Sequence, residues 1–159
     1  MWIIDIEASG LGNASYPIEI GITNGAENYS SLIKPLSSWV DWDLNSAKIH
    51  GICRETLVRE GKEAFVVAEE VSALLNNQPV YCSNIGYDDF WFEILFKQTN
   101  VLQKFVVKNI YDLFEDKPGS LDEFNSKKEK LVGSSEFLNH RALDDARVIW
   151  LALSQNRLG

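Results

Sequence analysis

Asp5 and Glu7 stand two residues apart in a segment otherwise made of Trp and Ile, Trp2-Ile3-Ile4-Asp5-Ile6-Glu7. If that segment is a strand, its period of two sends both carboxylates to one face. Two acids so placed repel each other and lose hydration unless a cation neutralises them. A hard divalent cation such as Mg2+ suits oxygen ligands. Two further places carry acids. Asp88-Asp89 follows Asn84-Ile85-Gly86-Tyr87, and Asp144-Asp145 follows His140-Arg141-Ala142-Leu143. His140 adds a side chain of the type that accepts a proton near neutral pH. Each place also has a plain structural role. Asp5 and Glu7 suit a strand end facing water, Asp88 suits a helix cap or first turn, and His140 suits a surface loop. His140 and Asp145 point apart if both are helical. They converge only if His140 lies on the loop before the helix.

The elements around these residues read as an α/β layer structure. Trp2–Glu7 is β-branched and apolar, as a buried strand requires. Tyr16–Thr23 alternates Ile18, Ile20 and Ile22 against Glu19 and Gly21. Asn24-Gly25 signals a type I′ hairpin into Tyr29–Ile33. These three strands make an antiparallel meander. Trp39–Arg59 mixes turn residues with short helical stretches. Ala64, Val67, Ala68, Val71, Leu74 and Leu75 form one helical stripe ending at Asn76-Asn77. Pro79–Cys82 is a short strand, Tyr87–Lys97 a buried helix, and Val106–Ile110 a strand leading to a turn of helix at Tyr111–Phe114. Residues 115–136 are polar and read as loop, whose basic cluster Lys127, Lys128 and Lys130 is either a solvated loop or a contact for phosphate. Ala142–Leu153 closes the chain as a helix. The expected fold is a mixed five-stranded sheet flanked by helices, in a single domain over residues 1–159.

Charge and composition narrow the function classes. The chain has 159 residues, 15 Lys+Arg against 23 Asp+Glu, and a formal net charge of −8. That balance excludes coating duplex nucleic acid by charge alone, which needs a basic face. Hydrophobic residues make up 45%, enough for a core. The opening Met1-Trp2-Ile3-Ile4-Asp5 has no basic region before an apolar run, so no signal peptide is expected. No uncharged apolar run reaches the roughly 18 residues of a membrane span. Cys53 and Cys82 show no CxxC spacing and read as reduced thiols of a cytoplasmic protein. Trp2, Trp39 and Trp42 are candidates for a homodimer surface.

Taken together, the acidic places form an ordered pattern. Ile4-Asp5-Ile6-Glu7-Ala8-Ser9-Gly10-Leu11 is followed by Pro17-Ile18-Glu19-Ile20-Gly21, then by Ile49-His50-Gly51-Ile52, Asn84-Ile85-Gly86-Tyr87-Asp88 and His140-Arg141-Ala142-Leu143-Asp144-Asp145-Ala146. Over residues 3 to 153 the chain resembles the DnaQ-like DEDDh family of 3′–5′ exonucleases, within the ribonuclease H-like fold. The resemblance implies that Asp5, Glu7, Asp88 and Asp145 bind two divalent cations, Mg2+ or Mn2+. It implies that His140 is the general base. It also implies that Ser9, Leu11, Asn84 and Tyr87 contact the substrate, the 3′ end of single-stranded RNA or DNA. The motif register favours Asp88 over Asp89 and Asp145 over Asp144. Two departures stand out: Ala8-Ser9 replaces the usual polar pair, and Ser83 replaces a common His before Asn84.

The chemistry explains why such residues are needed. A phosphodiester is already anionic and repels hydroxide, so two cations about 3.5–4 Å apart assist an in-line displacement. Two cations would offset about four of the negative charges. The remainder gives a weak grip on a long strand and favours short single-stranded substrates. Trp39, Trp42 and Tyr87 are candidates for stacking on terminal bases, or else core residues. Arg141 and Arg147 either reach a phosphate or stay on the helix surface, and His50 reads as a structural loop residue. Two other functions suit the same fold. One is a non-catalytic binding module, which would lack a carboxylate or the histidine. The other is a ribonuclease H-type endonuclease, which would cut a circle.

Overall fold

Strand β1 (Trp2–Ala8) lies inside the sheet because both of its faces are apolar over most of its length. In the computed structural model, which describes residues 1–117 and 119–155, β1 pairs antiparallel with β2 (Pro17–Thr23) on one side. On its other side it pairs parallel with β5 (Pro79–Cys82). β3 (Asn28–Lys34) and the two-residue β4 (Lys62–Glu63) extend one edge, and β6 (Val106–Asn109) the other. The sheet is six-stranded, in the order β4-β3-β2-β1-β5-β6. The strand beyond the five expected is β4, which is too short for any hydrophobic period to mark it.

Helices cover both faces. α1 (Leu44–His50) and α2 (Arg54–Glu60) follow β3. α3 (Ala64–Leu75) and α4 (Ile85–Thr99) bury Val67, Val71, Phe92 and Leu95 against Trp2, Ile4 and Ile6. On the opposite face, Ile3 packs with Ala146, Ile149 and Ala152 of α6 (Ala142–Ser154). A 3-10 turn (Ile110–Phe114) and α5 (Ser120–Val132) complete that layer through Phe114 and Phe124. Alternation along β1 therefore has a direct consequence. Ile3, Asp5 and Glu7 form one row, and the row begins under α6. No helix among the described residues is long and apolar enough to cross a membrane.

Several local expectations are corrected. The β2–β3 connection is a four-residue loop closed by the pair Thr23↔Asn28, not a two-residue turn. Its cause is side-chain capture: Asn24 Oδ1 accepts from Ala26 N at 2.9 Å and Glu27 N at 2.7 Å. Gly25 still has φ +89, and a Cβ there would lie 2.0 Å from the Trp150 ring. Gly25→Ala is expected to lower stability by roughly 2–4 kcal/mol, combining a left-handed backbone with overpacking. Urea denaturation checks it. Residues 120–132, expected as loop, form α5, which carries Lys127, Lys128 and Lys130. Its one fully buried side chain, Phe124, is too little to mark an apolar stripe. Trp2 and Trp39 are buried and so unsuited to a dimer surface. Trp39 stacks on Tyr16 with ring centroids 5.1 Å apart, under an Arg54 that donates to the Trp39 carbonyl at 2.7 Å. That leaves Trp39 unavailable for stacking on bases.

Candidate active site

β1 and β5 run parallel, so the loops that follow them open at the same end of the sheet, where ligands of α/β folds bind. Asp5 and Glu7 approach that end on the α6 face. β5 pairs only with Trp2 and Ile3. Further along β1, the Ile6 backbone N–H favours the charged form of Asp88, which comes in on the first turn of α4. Asp88 is 2% exposed, has the Asn84 N–H as a second group favouring its charge, and keeps one carboxylate oxygen, Oδ2, without a partner. From the other face, α6 delivers Asp145 in its first turn. His140 precedes the helix with φ +58, a left-handed backbone that turns its side chain back toward the acids. One ligand atom from each of Glu7, His140 and Asp145 lies within 4.8 Å of the others.

Asp5, Glu7, Asp88, His140 and Asp145 line one cleft of about 300 Å3. The doubled acids divide cleanly. Asp89 is exposed outside the cleft. Asp144 turns away, accepting Leu138 N–H at 3.0 Å and pairing with Arg147 at 3.4 Å. Arg147 and Arg141 are thus engaged with acids, Arg141 with Glu19 at 2.7 Å.

Comparison with known proteins bears on the scaffold. No family model and no curated protein matches the sequence. Solved structures do match. E. coli exonuclease I in complex with a dT13 oligonucleotide superposes with a TM-score of 0.73 at 14% identity, over 98% of this chain and 41% of that one. Exonuclease I from Methylocaldum szegediense gives 0.71 at 16%, over 99% and 41%. A zinc-bound E. coli exonuclease I–single-stranded DNA complex gives 0.70 at 15%, over 99% and 41%. The chain has the ribonuclease H-like fold of exonuclease I. It spans about two fifths of the length of those solved chains.

Within this exonuclease-I-like scaffold the electrostatics are strained. Burial, then Asp88, Asp145, Glu7 and Glu19, hold Asp5 well above the ordinary carboxylate range. Burial and the Asp145, Glu19 and Asp88 charges push Glu7 up to about 8, with Arg141 pulling back. Burial pushes Asp88 up to about 7, against the Cys82 thiol and the two N–H donors. Asp145 is raised by burial and partly restored by His140. Such a cluster lacks positive charge at its centre. The orphaned Asp88 oxygen and the converging acids fit divalent cations, whose binding would remove the repulsion.

The predicted substrate contacts divide. Leu11 and Asn84 line the cleft, and Leu11 is 64% exposed. Ser9 is fully buried and serves its own loop, its Oγ accepting Tyr16 N–H at 3.1 Å. Tyr87 lies outside the cleft, tilted on Trp91 at 5.4 Å. Residues not foreseen there are Ser46, Ile49, His50 and Trp91. His50 ends helix α1 and does not sit in a loop. Its Nδ1 accepts Ile52 N–H at 3.1 Å, so the proton of the neutral ring is on Nε2, which is buried and unpartnered. Burial holds His50 below the ordinary histidine value, reinforced by His140 and Arg141 and opposed by Glu19. The Ile49-His50-Gly51-Ile52 motif carried the signal for this edge of the cleft. Glu19 gave a weaker signal, an acid between Ile18 and Ile20.

Proposed function

We propose that this chain is a cation-dependent 3′–5′ exonuclease acting on single-stranded nucleic acid. The observation that carries the reading is the convergence of Asp5, Glu7, Asp88, Asp145 and His140, from three distant chain segments, on one cleft of an exonuclease-I-like fold. The four carboxylates would hold two Mg2+ or Mn2+ ions, which supply charge stabilisation and water activation when bound. His140, exposed on its loop, accepts a proton from the attacking water. Leu11 and Ile49, exposed and apolar at the cleft, bear on the terminal base. The net charge of −8 favours short strands and trimming of ends.

The test is a 3′-labelled oligonucleotide with Mg2+ or Mn2+. Single-stranded DNA is tried first, because E. coli exonuclease I is complexed with dT13 and dA16; matched RNA follows. Release of labelled nucleoside 5′-monophosphate, with a closed circle left intact, is the expected result. No release with either cation, or equal cutting of the circle, overturns the reading.

His140→Gln separates two roles for the histidine. As the base, its loss lowers kcat about 10²–10⁴-fold. Mn2+ affinity, measured calorimetrically, then stays within about threefold, whereas loss of a ligand weakens metal binding at least as much as the roughly 10–100-fold that follows loss of a group orienting one.

A further inference from the structure

We propose that Glu19 is a positioning residue, whose one carboxylate holds the catalytic end of α6 in register with β1. The inference rests on the exonuclease reading and extends it to a residue that lines no part of the cleft. Glu19 sits opposite Glu7 in the β1–β2 ladder, and Gly21 sits opposite Asp5. Directly paired residues share a face, so both look toward α6. Gly21 lets the helix land: a Cβ there would stand 2.0 Å from Leu143 N and 2.1 Å from the Ala142 carbonyl carbon. Glu19 fastens it. Arg141 Nε donates to both Glu19 oxygens at 3.1 Å, and Arg141 Nη2 donates to Oε1 at 2.7 Å. Ala142 N–H donates to Oε2 at 3.1 Å.

Ala142 N–H is one of the donors that a helix start leaves unpaired. Arg141, the cap residue, makes no side-chain cap bond of its own. Glu19 therefore caps α6 from another element, while 2% exposed. The same loop is held on its incoming side by Asp144 Oδ2, which accepts Leu138 N–H at 3.0 Å. Between these two grips lies His140, in a left-handed conformation that residues bearing a side chain seldom adopt. Loosening the Glu19 grip frees His140 first and Asp145 next.

A rival role is purely electrostatic, because Glu19 also adds negative charge around the acids. Glu19→Gln and Arg141→Gln change charge in opposite directions, so the two roles separate. Positioning predicts that each lowers kcat about 10–100-fold, with KM and Mn2+ affinity within about threefold. The double variant then loses no more than the worse single one, since both act through one contact. Opposite shifts in Mn2+ affinity with kcat retained overturn the proposal. Should these variants fail to fold, Arg141→Lys keeps the charge and removes only the fork. Amide hydrogen exchange at residues 138–142 is then expected to quicken about tenfold or more, with residues 3–6 of β1 unchanged; an unchanged loop overturns the proposal. Inactive wild-type protein would fail the exonuclease reading alone, and the exchange measurement would still decide this one.

Discussion

Asp5→Asn protein is expected to melt higher than the parent in EDTA and to hydrolyse no measurable substrate. Every influence on Asp5 raises its proton affinity: burial first, then four neighbouring carboxylates. Its charge therefore opposes the metal-free fold. Asparagine keeps the shape and removes that charge. A gain of about 2 kcal/mol is expected, or roughly 4–8 °C for a chain of this size. Activity moves the other way. On the proposed exonuclease reading, Asp5 would hold a cation, and its loss removes several kcal/mol of transition-state stabilisation, a fall of about 10³-fold or more. Stability traded against function is the mark of an active site. A lower melting point in EDTA together with undiminished hydrolysis would refute both halves at once.

The same crowding explains what was legible in the sequence. Acids inside an Ile-rich strand stand out because nothing in packing asks for them. Period two then fixes their common face; two helix starts mark the doubled acids, and between Asp88 and Asp89, or Asp144 and Asp145, only the motif register of the family resemblance chooses. His140 needed a loop conformation to converge with Asp145, and its φ of +58 supplies one. Glu19 was hidden for a physical reason. Ile18, Ile20 and Ile22 alternating with Glu19 and Gly21 read as a half-buried strand, yet β2 is buried on both faces because α6 crosses it. Alternation cannot distinguish an acid facing water from an acid facing a helix start. α5 escaped because one Phe against three lysines shows no apolar stripe. The Asn24-Gly25 turn lengthened because the Asn24 side chain captured two backbone amides, a local turn that competes with the two-residue hairpin geometry.

pH makes the strained centre measurable in the metal-free protein. Between pH 5 and 8, stability is expected to fall as pH rises. Glu7 moves from an ordinary 4.5 to about 8 on folding, and Asp88 from 3.8 to about 7. Asp5 and Asp145 shift in the same direction. Over that window the folded chain holds more protons than the unfolded one, so the slope of unfolding free energy against pH is negative. The stability is present in full below the unfolded values and is lost as pH climbs through the folded ones. His50, held below the ordinary 6.5, acts in the opposite sense, but it is one group against four. The acids repel one another, so their shifts do not add. A net loss on the order of 3 kcal/mol is expected, or about 6–12 °C in Tm. Mg2+ or Mn2+ competes with the protons, so it should restore Tm strongly at pH 8 and weakly at pH 5.5. Saturation at about a hundredfold over Kd supplies about 2.7 kcal/mol. Asp5→Asn should flatten the metal-free slope. A metal-free Tm that climbs from pH 5 to 8, or a cation response equal at both pH values, would mean that the four carboxylates do not share one desolvated centre.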